Sequence, residues 1–427
     1  MLLFDQLKAL ESKGEIINVG LVGGGFMGRG IVEVLEFAPG MRVAGVCDLD
    51  LERAYRCFSD MGIPCIEVEK ESEAGRINFF ERRIVTRDPS VLIEHKDIHF
   101  IIEATGKPEV GAEVAFKAIM NKKHMGMVNV ETDVTVGGYL SKLARSSGVV
   151  YTVCTGDEPA AIKELVDFTR VMGFKIVACG KGKNNPLDRY ATPSSLAEKA
   201  SESGLNPKIL TEFVDGSKTM VEMGCVANST GLDIDVENMH GPSANLDELC
   251  RIFRLKEEGG ILSTEGVVDF VIGDVAPGVF VVVKHRGNIT NETLRYLKIK
   301  GEGDHYLLYR PFHLTNIEVP VSVGIAAIYN QSSMAPDFPF KTEVVAIAKR
   351  DMKKGDLIDG IGGNMVYGGL QKYQIASVKN YVPLGLIEGA EVLEDIPRDT
   401  VITTTQVRLK EGLIYHLRQL QDALNKN

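Results

Sequence analysis

The stretch Ile17–Gly28 reads INVGLVGGGFMG, a short apolar strand that runs directly into a Gly-x-Gly-x-x-Gly turn. A segment with helical apolar periodicity follows as far as Phe37, and a second β-type run over 42–47 ends at Asp48. A strand, a glycine turn, a helix and a second strand ending at an acid are typical of a dinucleotide-binding βαβ unit. The sequence therefore predicts a Rossmann-type domain that binds a nicotinamide dinucleotide.

Each glycine of the turn has its own expected role. Gly23 makes the tight turn, Gly25 lets the backbone approach the pyrophosphate, and Gly28 lets the helix pack closely on the strand. The diphosphate is then expected at the helix N-terminus, formed by Phe26 and Met27, because free N–H groups and the helix dipole favour an anion there.

Asp48 bears on the choice between NAD and NADP. Its carboxylate is expected to accept hydrogen bonds from the adenine ribose and to repel a 2′-phosphate. No arginine follows it directly, although Arg53 in the next helix is close enough in sequence to swing in. The sequence thus favours NAD and leaves NADP open.

Two later apolar runs complete the expected cofactor site. The run over 98–103 is predicted to be a buried parallel strand, and a second run begins at Met125. Ligands of open α/β sheets bind at the carboxyl ends of such strands. We therefore assign to the cofactor site the residues that follow the two strands, which are Ala104, Thr105, Gly106 and Glu131.

Composition limits the possible classes of protein. The chain has 427 residues, of which 44% are hydrophobic and 25% charged, enough for two or three globular domains. A net charge of −10 argues against sequence-independent nucleic-acid binding, which needs a basic surface. No apolar stretch has the length of a membrane span, and charges interrupt the N-terminal residues too early for a signal peptide. We expect a cytoplasmic protein with no membrane or nucleic-acid partner.

The seven cysteines show no CxxC or zinc-type spacing, so reduced core thiols are the simplest expectation. Cys154 and Cys179 lie at predicted strand ends, but neither has a histidine nearby in sequence, which argues against a nucleophilic role. His240, beside Gly-Pro, and His313, in Arg-Pro-Phe-His, are expected to be structural hydrogen-bonding groups.

Changes in composition and hydrophobic pattern along the chain predict four regions. Residues 1–160 form the NAD(P)-binding domain, in which the charge-rich segment 57–97 is expected to be a surface excursion. Residues 161–335 form a second α/β region with the catalytic groups. Residues 340–407 alternate short strands with turn residues, as in a small all-β module. Residues 408–427 are predicted to be helical.

The second region carries the candidate catalytic residues. A strand over 175–180 leads into Lys181-Gly-Lys183-Asn-Asn, a predicted loop that fits either a phosphate or carboxylate site or a solvated turn. Further along, Asp215 and Lys218 form a second candidate acid/base pair. Glu222 lies four residues after Lys218 and so on the same face of a predicted helix.

Several segments resemble the homoserine dehydrogenase-like NAD(P)-dependent oxidoreductases that end in a SAF domain, a group that includes the 1-deoxy-D-xylulose 5-phosphate reductoisomerase-like enzymes. The resemblance covers about residues 17 to 407. Its matching segments are CTGDEP (154–159), GKGKN (180–184), FVDGSKT (213–219), VANSTG (226–231), YRPFHL (309–314) and, for the SAF domain, AKRDMKKG (348–355) and PLGLIEGA (383–390).

This resemblance implies an N-terminal Rossmann domain with a doubly wound parallel sheet, an inserted α+β catalytic and dimerisation domain, and a C-terminal all-β SAF (β-clip) domain. It also implies a homo-oligomer, either a dimer or a tetramer. Reductoisomerases of this chemistry use Mg²⁺, so Asp157 and Glu158, with Glu131 as a third carboxylate, are candidate metal ligands. Pairing with ribose or lysine is the alternative role for these carboxylates.

The expected reaction is hydride transfer to or from a small hydroxylated substrate of the sugar or polyol type, expected to be phosphorylated. Lys181 and Lys183 are assigned either to stabilising charge on the reacting oxygen or to holding a phosphate, and Lys218 with Asp215 is the second choice.

Three alternative functions remain open: 1-deoxy-D-xylulose 5-phosphate reductoisomerase activity, homoserine dehydrogenase activity, and a non-catalytic NAD-binding regulatory role. Homoserine dehydrogenases carry Asn-Lys where this chain has Asn129-Val130-Glu131, which counts against homoserine. Because the second region keeps Lys, Asn, Asp and Glu at strand ends, an enzyme is favoured over a regulatory protein.

Overall fold

The computed structural model describes residues 2–425. Its strands are β1 (Ile17–Val22), β2 (Met41–Cys47), β3 (Cys65–Glu67), β4 (Arg83–Thr86), β5 (Phe100–Glu103), β6 (His124–Met127), β7 (Tyr151–Val153), β8 (Lys175–Lys183), β9 (Val267–Ile272), β10 (Val279–Lys284), β11 (Gly301–Glu302), β12 (His305–Arg310), β13 (Thr342–Ala348), β14 (Val366–Lys372), β15 (Glu391–Val392) and β16 (Val407–Arg408).

The helices alternate with strands in the first part of the chain and cluster later. They are α1 (Leu2–Ser12), α2 (Phe26–Phe37), α3 (Leu51–Ser59), α4 (Glu71–Ala74), α5 (Ser90–Ile93), α6 (Pro108–Met120), α7 (Val130–Ser147), α8 (Glu158–Val171), α9 (Ala197–Ser203), α10 (Pro207–Asp215), α11 (Ser217–Thr230), α12 (Leu249–Ile252), α13 (Asn288–Tyr296), α14 (Val319–Tyr329), α15 (Tyr373–Val378) and α16 (Leu413–Asn425), with short 3₁₀ turns at Lys256–Glu258, Thr315–Glu318 and Leu384–Leu386.

The chain forms two compact units. The first comprises the residues up to Ala160, the segment Leu314–Ala335 and the residues from His416 onward. The second comprises Ala161–His313 and Pro336–Tyr415.

A parallel sheet of seven strands, in the order β3-β4-β2-β1-β5-β6-β7, is the centre of the first unit. The strand order reverses between β1 and β5, and such a reversal opens a crevice at the carboxyl ends of the two strands. The predicted Rossmann fold is confirmed.

The segment 57–97 is more than the surface excursion that its charge suggested. It supplies β3 and β4, which extend the parallel sheet beyond β2. The predicted surface excursion is wrong because short strands leave little apolar pattern in the sequence. In addition, β3 lies at the sheet edge, where polar side chains are tolerated.

Helix α14 belongs to the first unit, although its sequence lies inside the predicted second domain, 161–335. Its Val319, Val323 and Ala326 join the core cluster formed by α1, α2 and the parallel sheet. The sequence VPVSVGIAAIY is apolar on every face, as expected for a helix buried against other elements. The chain therefore returns to the first unit before it enters the SAF-like segment.

A mixed five-stranded sheet, in the order β11-β12-β10-β8-β9, organises the second unit. Strands β8 and β9 are parallel, and the other neighbours are antiparallel. Helix α11 packs against β9 and also against β13 and β14. The predicted α+β character of this region is confirmed.

The C-terminal module consists of the antiparallel pairs β13–β14 and β15–β16 with short helical turns between them. This is the expected small β-rich module. The final helix, α16, begins at Leu413, slightly later than the predicted start at 408. None of the described helices has the length and apolar character needed to cross a bilayer.

Candidate active site

The glycine turn after β1 has the geometry of a dinucleotide-binding loop. Gly23 has φ +108°, and a Cβ there would lie 2.7 Å from the Ala104 carbonyl oxygen. A Cβ on Gly28 would lie 1.9 Å from the Gly23 carbonyl oxygen. Both positions therefore require glycine, the first for its backbone conformation and the second for close packing of α2 on the turn.

Gly25 differs from these two glycines because the space around it is open. It precedes the first residue of α2, and a Cβ at this position would meet no heavy atom within 4 Å. The first turn of α2, with Phe26 and Met27, offers N–H groups that have no partner within the helix itself. The open space leaves room for an anion to approach the backbone at Gly25, and the assigned pyrophosphate contact stays a prediction.

Asp48, directly after β2, is hydrogen-bonded to the glycine turn. Its Oδ2 accepts a hydrogen bond from Gly24 N (2.8 Å) and its Oδ1 one from Asp50 N (2.8 Å). These contacts fix the carboxylate beside the turn. A carboxylate has about four acceptor positions, so Asp48 retains capacity for a ribose hydroxyl. The assigned ribose contact stays a prediction.

The end of β5 carries a buried acid that the sequence analysis did not single out. Glu103 is fully buried, and its Oε1 accepts a hydrogen bond from Thr105 N (2.7 Å) and another from the Thr105 hydroxyl. Burial raises the pKa of Glu103 to about 7. The available signal was an acid at the end of an apolar strand, immediately before the predicted cofactor loop. Glu103 thus shapes the 104–106 loop.

Replacing Glu103 with Gln tests this buried carboxyl. Because its pKa rises from 4.5 to about 7 on folding, the folded protein retains a proton that the unfolded chain has released between those values. The free energy of unfolding therefore falls as the pH rises through this range. We expect Glu103→Gln to be more stable than the wild type at pH 8, by up to about 3 kcal/mol, and similar to it near pH 4. Urea unfolding at both pH values measures this, and a pH-independent difference would refute the explanation.

Asp157 and Glu158 lie at the start of α8, in a segment with defined backbone geometry. Gly156 has φ +109°, and its carbonyl oxygen accepts a hydrogen bond from Thr315 N (2.8 Å). Thr155 N donates a hydrogen bond to Ser322 Oγ (2.7 Å). These bonds fix the backbone that directly precedes the two carboxylates, and their assignment to a metal stays a prediction.

Lys181 and Lys183 do not lie in a loop, because β8 continues through both of them to Lys183. The side chains are buried, and residues two apart in a strand lie on the same face of the sheet. Lys181 forms an ion pair with Glu222 on α11, which is itself buried. The predicted loop is therefore wrong for these two residues, and Glu222 compensates the charge of a lysine in the interior of the strand.

Lys183 is a buried cation with a strongly lowered pKa. Its Nζ donates a hydrogen bond to the Phe213 carbonyl oxygen (2.6 Å). Burial, together with the charge of Lys181, lowers the pKa of Lys183 to about 8. A lysine in this range exchanges its proton near neutral pH, which suits general acid/base catalysis.

Asp215 forms an ion pair with Lys349 of the C-terminal module, whereas the sequence predicts a pair with Lys218. The Lys349 Nζ lies 2.8 Å from Asp215 Oδ2 and also donates to the carbonyl oxygens of Ala191 and Gly363 (both 2.9 Å). Burial raises the pKa of Asp215 although Lys349 opposes this shift. Lys218 follows in the first turn of α11. Asp215 is therefore part of a buried structural ion pair.

Replacing Lys349 with Met leaves Asp215 buried without its cation. We expect a loss of about 3–5 kcal/mol in the free energy of unfolding at pH 8. The loss is smaller at pH 5, because the raised pKa lets Asp215 take up a proton and become neutral. Urea unfolding of Lys349→Met and of the double variant Lys349→Met/Asp215→Leu measures this. A double variant that is less stable than the single variant contradicts the proposed ion pair.

His240 and His313 each have one ring nitrogen within hydrogen-bond distance of a neighbouring oxygen, and their predicted structural role stays a prediction. His240 Nε2 lies 2.8 Å from Asp235 Oδ2, and His313 Nδ1 lies 2.7 Å from the Pro277 carbonyl oxygen. Cys154 and Cys179 are buried, and burial raises the pKa of each thiol to about 12. Both cysteines are therefore protonated near neutral pH, which argues against a nucleophilic role.

Comparison with known protein families adds two matches. Residues 156–319 match the family model described as "Oxidoreductase DRL, catalytic domain", and residues 343–408 match the SAF domain. The chain combines a DRL-type catalytic domain with a SAF domain. The combination suggested by the sequence resemblance is thereby confirmed, and Lys181, Lys183 and Asp215 all lie in the DRL-type segment.

A weaker relative is homoserine dehydrogenase from Neisseria gonorrhoeae, 24% identical over 143 residues. The alignment covers 31% of this chain and only 28% of the relative's length.

Two similar solved structures are myo-inositol dehydrogenase from Lactobacillus casei with NAD(H) and myo-inositol (15% identity, TM-score 0.37) and scyllo-inositol dehydrogenase from the same organism with NAD(H) and scyllo-inositol (12% identity, TM-score 0.38). Each alignment covers 69% of this chain, and the alignments cover 74% and 76% of those chains, respectively. Likeness at these scores supports no conclusion about substrate.

Proposed function

We propose that this protein is an NAD(P)-dependent oxidoreductase that transfers a hydride to or from a small hydroxylated, phosphorylated substrate of the sugar or polyol type. The match of residues 156–319 to an oxidoreductase catalytic domain carries the proposal, because this segment contains the buried lysines. The glycine turn of the first unit adds independent support, since it has the backbone geometry that a dinucleotide needs.

NAD is the favoured cofactor. The Asp48 carboxylate is fixed beside the glycine turn and repels the 2′-phosphate of NADP. The residues assigned to the cofactor are Gly23, Gly25, Phe26, Met27, Gly28, Asp48, Ala104, Thr105, Gly106 and Glu131. When bound, the nicotinamide ring supplies or accepts the hydride.

Lys183 is the proposed proton donor and acceptor. In the reductive direction a hydride, with its electron pair, reaches the carbonyl carbon of the substrate. The carbonyl oxygen then takes a proton from the ammonium group of Lys183, and the alcohol and neutral lysine result. Lys181 is less suited to this step, because Glu222 already engages its charge. It is assigned to electrostatic stabilisation of the developing negative charge.

Asp157 and Glu158 are proposed as ligands of a divalent cation. Two adjacent carboxylates offer the oxygen ligands that Mg²⁺ prefers. Asp157 and Glu158 would hold the ion, and Mg²⁺ bound there would act as a Lewis acid toward the substrate. We also propose that the protein is a homodimer, which the molar mass measured in solution tests. We further propose a cytoplasmic location.

A binding and turnover screen tests the proposed function. Fluorescence of NADH and NADPH is measured with the full-length protein, and cofactor oxidation or reduction is followed with a panel of sugar and polyol phosphates, their unphosphorylated counterparts and homoserine, with and without Mg²⁺. The panel includes 1-deoxy-D-xylulose 5-phosphate. Binding of one cofactor and turnover of at least one phosphorylated member are expected. Absence of binding by both cofactors refutes the proposal.

A further inference from the structure

A small cavity in the second unit lies where the SAF domain meets the DRL-type catalytic segment. Its volume is about 70 Å³, and its walls include Tyr367 and Gly368 of β14, Met220 of α11 and Phe270 of β9. Asp215 also faces it. The cavity is large enough for one small chemical group and too small for a whole sugar, so it fits a subsite.

Three polar side chains line the cavity, Arg189, Asn238 and His240, and the first two have donor groups to spare. Within residues 2–425, Arg189 forms no ion pair, and its guanidinium lies 6.0 Å from the Tyr367 ring centroid. Asn238 Oδ1 accepts a hydrogen bond from Leu370 N (2.8 Å), and its amide nitrogen has no partner in the described part of the chain. These donors remain available to a ligand.

His240 is held in a defined orientation. Asp235 Oδ2 lies 2.8 Å from its Nε2, which leaves Nδ1 without a partner in the described segments. Because the Nε2 proton is directed at Asp235, Nδ1 of the neutral ring is an acceptor, which suits a protonated oxygen of a phosphate group. A histidine whose one nitrogen is fixed by a carboxylate presents its other nitrogen in a set direction.

The carboxylate of Asp215 in the cavity wall, by contrast, already accepts hydrogen bonds from the protein. Asp215 receives hydrogen bonds from Lys349 Nζ and Ser217 N, both at 2.8 Å. The cavity thus combines a neutralised acid with unused donors. A ligand group rich in acceptor oxygens and carrying negative charge, such as phosphate or carboxylate, is the complement of that arrangement.

The loop that carries Asn238 and His240 is held in an uncommon conformation. Asn238 and Met239 both have positive φ, 61° and 64°. Asn238 N donates to the Leu370 carbonyl oxygen (2.8 Å) in β14, and His240 N donates to Asp269 (3.1 Å) in β9. Strained residues persist where surrounding structure determines them, and they cluster at binding sites. The SAF strand therefore positions the loop as well as closing the cavity.

We propose that this cavity binds the anionic group of the substrate through Arg189, Asn238 and His240, with the SAF strand β14 as one wall. This inference rests on the proposed function for the identity of the whole ligand, whereas anion binding itself is independent of turnover. The SAF domain thereby contributes to substrate specificity.

Calorimetric titration of the full-length protein with inorganic phosphate, and separately with acetate, tests the proposal. The titration is run on the wild type and on Gly25→Val, in which the pyrophosphate-binding turn is blocked. We expect phosphate binding in the millimolar range in both proteins. Arg189→Gln should weaken it about tenfold or more, because a charge-assisted hydrogen bond is lost. His240→Asn should weaken it as well.

Arg398→Gln is the matched control, since Arg398 lies over the Tyr190 ring (4.8 Å) in the same unit and does not line the cavity. It should bind phosphate as the wild type does. Stronger binding of phosphate than acetate identifies a phosphate subsite, and the reverse identifies a carboxylate subsite. Absence of binding of both anions, or equal losses in Arg189→Gln and Arg398→Gln, overturns the proposal.

The outcomes also separate this proposal from the oxidoreductase function. If neither NADH nor NADPH binds while phosphate binding depends on Arg189 and His240, the proposed function fails and the anion site stands. If a cofactor binds and phosphate binding is independent of both residues, the anion site alone fails. With a substrate in hand, Arg189→Gln should raise KM and leave kcat nearly unchanged.

Discussion

Replacing Lys183 with Met is expected to lower kcat by roughly two to three orders of magnitude, the size typical of removing one group that stabilises transition-state charge. The affinity for NADH or NADPH should change little, because Lys183 is not among the residues assigned to the cofactor. Methionine retains the length and apolar stem of lysine. Steady-state kinetics and cofactor fluorescence on the same preparation measure the two effects.

The pH profile identifies the role of Lys183 more directly. Because burial lowers its pKa to about 8, the ammonium group is lost as the pH rises through that value. The rate of carbonyl reduction should therefore fall above about pH 8, and the rate of alcohol oxidation should rise toward it. Lys183→Met should lose this step in the profile. If Lys183→Met retains the step near pH 8, a group other than Lys183 is responsible for it.

Lys218→Ala is the internal comparison, since Lys218 lies at the start of α11 and is less buried than the two strand lysines. Near-normal kcat is expected for this variant. If Lys183→Met raises KM and leaves kcat unchanged, Lys183 holds substrate phosphate in the ground state and has no part in proton transfer. Normal activity of Lys181, Lys183 and Lys218 variants alike would contradict the lysine mechanism.

Local patterns in the sequence were sufficient to predict the glycine turn and the strands on either side of it. The glycine turn, α2 and the strand before Asp48 follow one another within about thirty residues, and their hydrophobic periods differ clearly. The loop 104–106 was also placed correctly, because the strand order brings β5 beside β1. These features depend on short-range sequence and on the general rules of parallel sheets.

Long-range compensation of charge was outside the reach of the sequence analysis. Nothing near Asp215 in the chain shows that Lys349 is its partner, although Lys349 lies in the SAF-like segment. The charge of Lys181 suggests a solvent-exposed loop, but in the structure Glu222 of α11 pairs with this charge in the interior. A buried charge needs a partner, but the identity of that partner follows only from tertiary packing.

The Gly25→Val variant is expected to lose NADH and NADPH binding, with affinity lowered at least a hundredfold, while the protein still folds. A Cβ at Gly25 meets no heavy atom within 4 Å, so the added side chain costs little in the unliganded protein. It occupies the space through which a pyrophosphate must approach the N-terminus of α2, where backbone N–H groups form the anion site.

Gly28→Ala provides a contrast on the same helix. A Cβ there would lie 1.9 Å from the Gly23 carbonyl oxygen, so the variant must displace backbone and should lose stability as well as cofactor binding. Thermal unfolding separates the two variants: Gly25→Val should unfold near the wild-type temperature and Gly28→Ala well below it. Gly25→Val with wild-type cofactor affinity would show that the dinucleotide does not bind at this turn. Since the turn's geometry supports the cofactor assignment, that result would also remove the structural basis for the proposed hydride transfer.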